Sequence, residues 1–494
     1  MLRTWKLALL PAQSGDDSLH LRIVQSVIEE IRRGRLEPGM ALPGTRVLAG
    51  DLGVNRKTVV LAYEELEAQG WLETQEKRGT FVSRRLPKPD AGSADEAAYA
   101  GFASSAGSEG EDLLRATLPL AGAAGTGRIV ITDGVPDTRL IPFDLLSRAY
   151  RHALVASARA NRLGYGDPRG EPALRAAIAA MLRLERGLNV REENICVVRG
   201  SQMGIYLAAR LLTRPGDRVA FETLSYPPAR AAFRSCGATV LDIEQDEHGL
   251  IPEALERVCQ ATQLKAVFTT PHHQFPTTVT MPADRRLKLL ALARKYGFVV
   301  VEDDYDHEFH FSSNPVFPLA SMTGTGHVLL IGSLSKVLAP GLRLGYIVAS
   351  AGFVAQCAAE IMLIDRQGNA LTEIAVTELM ESGELKRHIR RALKIYEQRR
   401  DLCASLVRGE LGADASFQVP IGGLALWLHL HEGIGIRRFT EAASAEGVDC
   451  LPGSVYLNGP GNVEGFRLGY GNLDEAELGT AIRRLGAARR KCRG

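Results

Sequence analysis

Five short apolar runs, each followed by a longer stretch of helical periodicity, constrain the fold of this chain most tightly. They are Val197-Val198, Val219-Ala220-Phe221, Ala266-Val267-Phe268, Val299-Val300-Val301 and Val328-Leu329-Leu330-Ile331. Runs without polar alternation read as strands buried on both faces, and the helical stretches between them as crossovers. The expectation is an α/β domain over 128–494 with a mostly parallel central sheet. From about 385 the pattern changes to a long charged helix (Leu385 to Leu402) and mixed elements, read as a smaller C-terminal α+β subdomain, about 385–494. Open α/β sheets bind ligands beyond the carboxyl ends of their strands. The residues just after each run are therefore the place to look for chemistry.

The last run leads into Ser333-Leu334-Ser335-Lys336, with Arg343 seven residues beyond the lysine. A lysine on such a loop can form a Schiff base with pyridoxal phosphate, which is the expected catalytic role of Lys336. That cofactor also needs a carboxylate on its ring nitrogen, donors for its phosphate and a group beside its phenolic oxygen. Glu302-Asp303-Asp304-Tyr305 directly follows Val299-Val300-Val301; of these Asp303 is the expected carboxylate, and Tyr305 the group beside the phenol. Gly200-Ser201-Gln202 follows Val197-Val198 and opens a helix, whose backbone N–H groups favour phosphate together with the Ser201 hydroxyl. Ser333, Ser335 and Arg343 add side-chain donors, the arginine with a planar charged fork. Arg467, in Phe466-Arg467-Leu468-Gly469-Tyr470, suits the carboxylate of a substrate or effector. A lysine after a strand is commonly a surface lysine, and an acid pair commonly a cap. The order and spacing of the whole set distinguish it from such chance residues.

The first 85 residues are of another kind. Leu42-Pro43-Gly44-Thr45-Arg46 starts a helix, with Thr45 as its cap, and Ala49-Gly50-Asp51-Leu52-Gly53-Val54 turns into a second. In that second helix Val59, Ala62, Tyr63 and Leu66 follow the spacing of a buried stripe. Asn55, Arg56, Lys57 and Thr58 fall at its N-terminus, the end of a recognition helix that meets base edges. Gly70-Trp71-Leu72 and then Lys77-Arg78-Gly79-Thr80-Phe81-Val82 read as a hairpin with a basic tip. The alternative is a helical dimerisation domain whose cations are only solvated. Residues 86–127 turn to Ala, Gly, Ser and Pro and read as a flexible linker.

Net charge is +2, and residues 1–85 hold thirteen Lys/Arg against eleven Asp/Glu, so charge alone names no partner. Seven cysteines without a C-x-x-C pair argue against a zinc site or a disulfide framework, so no metal is expected, and they suit a reducing cytoplasm. The N-terminal apolar stretch is too short for a signal peptide, and no later run approaches a membrane span.

Residues 15–85 resemble a GntR-type winged helix-turn-helix, which reads L-P-x-x-R, L-G-V-x-R-x-T-V, a tyrosine helix, G-W/L-L and a G-T-x-V wing. The resemblance implies double-stranded operator DNA as partner, with Arg46, Arg56, Thr58 and the wing residues Lys77, Arg78 and Gly79 as contacts. Asn55 stands where serine is more usual. Residues 128–494 resemble fold-type I aminotransferases, and the whole chain is similar to the MocR/GabR family of transcriptional regulators. The motifs that carry this are Leu163 to Gly170 with Leu174-Arg175, Pro271-His272-His273-Gln274-Phe275-Pro276, and Glu302 to Phe309. The likeness implies that Tyr165 reaches the phosphate of the partner subunit's cofactor, that His273 or Gln274 lies near the phenolic oxygen, and that Tyr226 lies near the ring or effector. It also implies a homodimer, described for the family as head-to-tail and domain-swapped. Thr278 departs from the family's glycine after Pro-Thr, while Asp303-Asp304-Tyr305 keeps the regulators' D-x-Y spacing. The expected function is transcription regulation by a domain that senses an amino compound or the cofactor itself. The rival is a working aminotransferase with an accessory DNA-binding module.

Overall fold

The structure, a computed structural model, describes residues 18–75, 78–84, 86, 127–312, 316–323, 326–334, 336–431 and 433–493. Lys77, Ser335 and nearly all of the expected linker lie outside the described residues. The chain divides into two compact units, residues 1–107 and 108–494.

The first unit comprises helices α1 (Leu19–Arg32), α2 (Thr45–Leu52) and α3 (Arg56–Ala68) and the hairpin β1 (Leu72–Gln75) and β2 (Gly79–Val82). Val59, Ala62, Tyr63 and Leu66 are buried along α3, as their spacing predicts, and pack with Ile23, Val27 and Leu48. Gly53 closes α2 in the left-handed conformation (φ 66°), which costs a glycine nothing sterically. Asn55 caps α3, its side-chain oxygen accepting from Lys57 N at 2.9 Å. Thr45 is not the cap of α2. Gly44 holds that extended position, and the Thr45 hydroxyl instead accepts from Arg56 Nε at 3.4 Å. The Tyr63 hydroxyl donates to Pro43 O at 2.9 Å, tying α3 to the turn before α2.

The second unit is built on a seven-stranded sheet in the order Ile195–Val198, Gly345–Val348, Val328–Ser333, Val299–Asp304, Ala266–Thr269, Arg218–Glu222, Thr239–Ile243. All neighbours are parallel except around Gly345–Val348, which runs against both of its own. The sheet is thus mostly parallel, as expected, and all five apolar runs are strands in it. The strands Thr239–Ile243 and Gly345–Val348 carry polar or glycine positions and were not marked by an apolar run. Val328 to Ile331 are buried throughout, each contributing about 1.5–3 kcal/mol relative to exposure. The charged helix is longer than expected, Glu384–Leu411, and its buried stripe continues through Cys403 and Val407 to Leu411. It packs in a second core with the antiparallel strands Ala415–Ser416, Ala425–Leu430 and Gly465–Gly469. Ile129–Val130 pairs in parallel with Val448–Asp449, and Ile131 is buried in that core, so the start of the unit belongs to its C-terminal layer.

Candidate functional site

Asp303 is the second-to-last residue of the strand Val299–Asp304, and Lys336 follows the adjacent strand Val328–Ser333 by three residues. Pleating sends Glu302 and Asp304 to one face and Asp303 to the other. Glu302 accepts from Leu319 N at 2.7 Å and Ala320 N at 3.1 Å, and Asp304 lies 2.8 Å from His307 Nδ1 and 3.3 Å from Arg186 Nη1. Asp303 Oδ1 has no hydrogen-bond partner among the described residues although the side chain is buried. Burial pushes its pKa up to about 7, with the Lys336 charge opposing. An unmet buried carboxylate oxygen fits a group that presents an N–H⁺.

Lys336 Nζ stands 4.1 Å from the centre of the Tyr305 ring. Burial lowers its pKa to about 8, aided by the Arg467 charge and resisted by Asp306 and Asp303. About a tenth of the amine is therefore neutral, hence nucleophilic, at pH 7. The buried Tyr305 hydroxyl donates to His273 O at 3.1 Å and accepts from Arg467 Nη2 at 3.4 Å. Tyr226 stacks edge-on against Phe275, with ring centres 5.2 Å apart, and its pKa is raised to about 12 by burial and then by the Asp303 charge.

The phosphate-binding candidates converge from three segments. Ser201 and Gln202 sit in the first turn of the helix Gly200–Leu212. Ser333 is buried at the end of its strand. A Cβ on Gly200 (φ 75°) would lie 2.8 Å from Arg343 Nη2 and would push the guanidinium away from that helix N-terminus. Arg343 itself adopts φ 50° and donates to Arg199 O at 3.1 Å. Among the described residues it has no carboxylate partner within ion-pair distance. A helix N-terminus and an unneutralised guanidinium side by side fit an anion. Gln202 is turned elsewhere: its Nε2 lies 3.4 Å from Pro228 O.

Arg467 is buried, and its guanidinium donates to Asp133 O at 2.9 Å and Pro276 O at 2.7 Å, over the Phe275 ring. It forms no ion pair among the described residues, so its charge is available to a carboxylate. The His273 ring is held by Asp306, with Nδ1 2.8 Å from Oδ1, and it is the His273 carbonyl that meets Tyr305. Gln274 locks the following turn, donating to Leu224 O and Phe275 O at 2.8 Å. Thr278, which stands where the family has glycine, takes the left-handed φ of 65°. Tyr165 is 80 % exposed, with the Arg366 guanidinium 4.7 Å from the centre of its ring. Sequence reading missed Asp133, Asp306 and Tyr456. The Tyr456 hydroxyl donates to Asp133 Oδ1 at 2.5 Å, and both come from segments with no motif to announce them.

In the first unit Arg46, Asn55, Arg56, Lys57, Arg78 and Gly79 are exposed and Thr58 is half-buried. None of Arg46, Arg56, Lys57 and Arg78 belongs to an ion pair among the described residues. Asn55 spends one oxygen on its cap, which orients the N-terminus of α3.

Residues 19–82 match the model of bacterial regulatory proteins of the gntR family, and residues 140–485 that of aminotransferase class I and II. The chain is 32 % identical over 490 residues to the HTH-type transcriptional regulator TauR of Rhodobacter capsulatus, covering 97 % of this chain and 98 % of the relative. The chain belongs to this family of transcriptional regulators. The regulator is also 30 % identical to the pyridoxine biosynthesis regulator PdxR of Corynebacterium glutamicum, with 97 % of each chain covered. A probable rhizopine catabolism regulator, MocR of Rhizobium meliloti, is 29 % identical over 96 % of this chain and 94 % of its own. Among solved structures, the α-aminoadipate aminotransferase LysN of Thermus thermophilus, complexed with N-(5'-phosphopyridoxyl)-L-leucine, superposes with a TM-score of 0.70 at 27 % identity. It covers 81 % of this chain and 99 % of its own. A multiple-substrate aminotransferase of Thermococcus profundus gives 0.72 at 27 % identity, over 79 % and 98 %. The regulator therefore joins a DNA-binding helix-turn-helix to an aminotransferase fold, and no helix among the described residues is long and apolar enough to cross a membrane.

Proposed function

We propose that the regulator holds pyridoxal phosphate at Lys336 and uses it to recognise an amino compound, or the cofactor itself, as the signal for DNA binding. The observation that carries this reading is the pairing of a half-buried, partly neutral Lys336 with the buried, unpartnered carboxylate oxygen of Asp303. When bound, pyridoxal phosphate supplies an electrophilic carbon that reacts reversibly with primary amines. Asp303 would hold a proton at the ring nitrogen. Gly200, Ser201, Ser333, Ser335 and Arg343 would bind the phosphate, and Tyr226 and Tyr305 would confine the ring. Arg467 would take the effector's carboxylate in exchange for its present backbone carbonyls, and Tyr165 would serve the site of a partner subunit in a homodimer. Arg46, Arg56, Lys57, Thr58 and the wing would contact operator DNA. Phosphate contacts set affinity, and the few side chains at base edges set sequence.

An effector moves the equilibrium between two states only by binding them unequally. The test is to load the purified chain with pyridoxal phosphate and measure its affinity for the DNA upstream of its own and neighbouring genes, with and without a panel of amino compounds. A ligand-dependent change in affinity supports sensing. Multiple turnovers with an amino donor and acceptor, with DNA affinity unchanged, would favour the aminotransferase reading instead.

A further inference from the structure

Four histidines meet between two neighbouring strand ends. His272 and His273 follow Ala266–Thr269, and His307 and His310 follow Val299–Asp304. The centre of the His272 ring lies 4.4 Å from that of His273, 4.6 Å from His307 and 5.4 Å from His310. His272 is only 4 % exposed, yet neither of its ring nitrogens has a hydrogen-bond partner among the described residues. Leaving a buried polar atom unsatisfied costs about 1–3 kcal/mol, so two on one ring call for an explanation.

His273 supplies a second observation. Its Nδ1 faces Asp306 Oδ1 at 2.8 Å, which keeps the ring proton on that nitrogen and leaves a lone pair on Nε2. Nε2 is buried and has no partner among the described residues. A carboxylate behind one ring nitrogen, with the other left open, is how proteins orient a metal-binding histidine. Ligand atoms of His272, His273 and His310 lie within 4.8 Å of one another. His272, Asp304 and His307 are equally close, but there Asp304 and His307 already engage each other at 2.8 Å and Arg186 adds its charge. That pair has less to offer an ion.

We propose that His272, His273 and His310 bind one divalent transition-metal ion of the zinc class, with water as a further ligand. Three imidazoles select zinc, nickel, cobalt or copper over magnesium or calcium, which prefer oxygen donors. Ring nitrogens around a tetrahedral ion at 2.0–2.1 Å are about 3.4 Å apart, so the rings close inward by up to about an ångström on binding. Asp304 and Asp306 lie close enough to offset the added charge. The ion would clamp the turn that carries Phe275 to the segment that carries Asp303 and Tyr305. The proposal stands whether or not Lys336 holds a cofactor. The expectation of no metal came from the cysteines, and the donors are histidines.

The test uses the untagged full-length chain, stripped with a chelator and titrated with Co²⁺ and then Zn²⁺, with and without pyridoxal phosphate. One equivalent of Co²⁺ per chain should give visible d–d absorption that Zn²⁺ abolishes, in both cofactor states. His272→Gln and His310→Gln should each weaken binding by about 100-fold or more, while His307→Gln changes it by less than about 10-fold. His310 is half-buried on a different segment, so its variant decides the matter if His272→Gln does not fold by circular dichroism. Absence of stoichiometric binding by the wild-type chain, or equal affinity in the His310 variant, would overturn the site. Loss of binding in the His307 variant alone would overturn the choice of ligands.

Discussion

The two units handle charge in opposite ways. In the first, Arg46, Arg56, Lys57 and Arg78 are on the surface, contributed by residues within about thirty positions of one another. In the second, Lys336, Asp303 and Arg467 are gathered from segments up to 164 residues apart, and the last two are buried. Exposed cations pay no desolvation penalty and wait for a polyanion that arrives from solvent. Buried charges are costly unless a ligand completes them. One unit is therefore a finished surface, whereas the other is a strained interior that a ligand would relax.

That difference breaks most visibly at Lys336. Lys336→Ala should abolish the visible absorbance of bound pyridoxal phosphate, an all-or-none effect, while a DNA duplex is still bound. Loading of the wild-type chain should also quicken as pH rises toward 8, because each unit below the lysine's pKa cuts the neutral amine about tenfold. A rate independent of pH between 6 and 8 would separate Lys336 from the attachment step.

Asp303 gives the next largest effect, with an unusual sign. Its pKa is raised from 3.8 to about 7 on folding, so the folded state holds the proton more tightly and stability falls as pH rises between those values. Asp303→Asn should therefore stabilise the cofactor-free chain by about 2–4 kcal/mol at pH 8, an advantage that shrinks toward pH 5, and should weaken cofactor binding. Denaturant unfolding at the two pH values checks it. A destabilised variant would mean that Asp303 has a partner already. In the first unit Arg56→Ala should cost about 1–3 kcal/mol of operator binding and lower the salt dependence, with the cofactor absorbance untouched. Loss of both would point to misfolding.

The same contrast explains what could be read in advance. The helix-turn-helix is local: the α3 stripe, the Asn55 cap and the Gly53 turn each follow from a few adjacent residues. The parallel strands were legible for the same reason, since burial on both faces leaves an uninterrupted apolar run. Gly345–Val348, which opens on a glycine and is only four residues long, was not marked. Lys336 was legible as a residue after a strand, and Asp303 as an acid near a strand's end. Asp133 and Tyr456 were not, because they enter through tertiary contacts between distant segments, and Asp306, inside the Glu302 to Phe309 motif, was not singled out because its partner His273 lies on another segment. His273 or Gln274 was expected beside the cofactor's phenolic oxygen; within the chain the His273 carbonyl accepts from the Tyr305 hydroxyl and its ring faces Asp306. Thr45 failed as a cap for a smaller reason, since a glycine one position earlier serves as well.

The smallest effect tests the comparison at a single backbone angle. Gly53 and Thr278 have nearly the same φ, 66° and 65°, one in each unit. At Gly53 the turn obeys local preference, and a Cβ there would meet nothing within 4 Å. Gly53→Thr should therefore show conformational strain alone: about 1–2 kcal/mol for the left-handed position, less about 0.4–1 kcal/mol regained from a stiffer unfolded chain. Thr278 already bears that strain beside Gln274, whose carbonyl accepts its N–H at 2.6 Å. Thr278→Gly should then stabilise the second unit by about 1 kcal/mol, the mirror image of the change in the first, as a rise in its unfolding midpoint. If Thr278→Gly destabilises instead, the buried threonine side chain contributes more by packing than its backbone loses. The turn beside Phe275 would then be held by tertiary contacts, as the rest of that site is, and not by the angle itself.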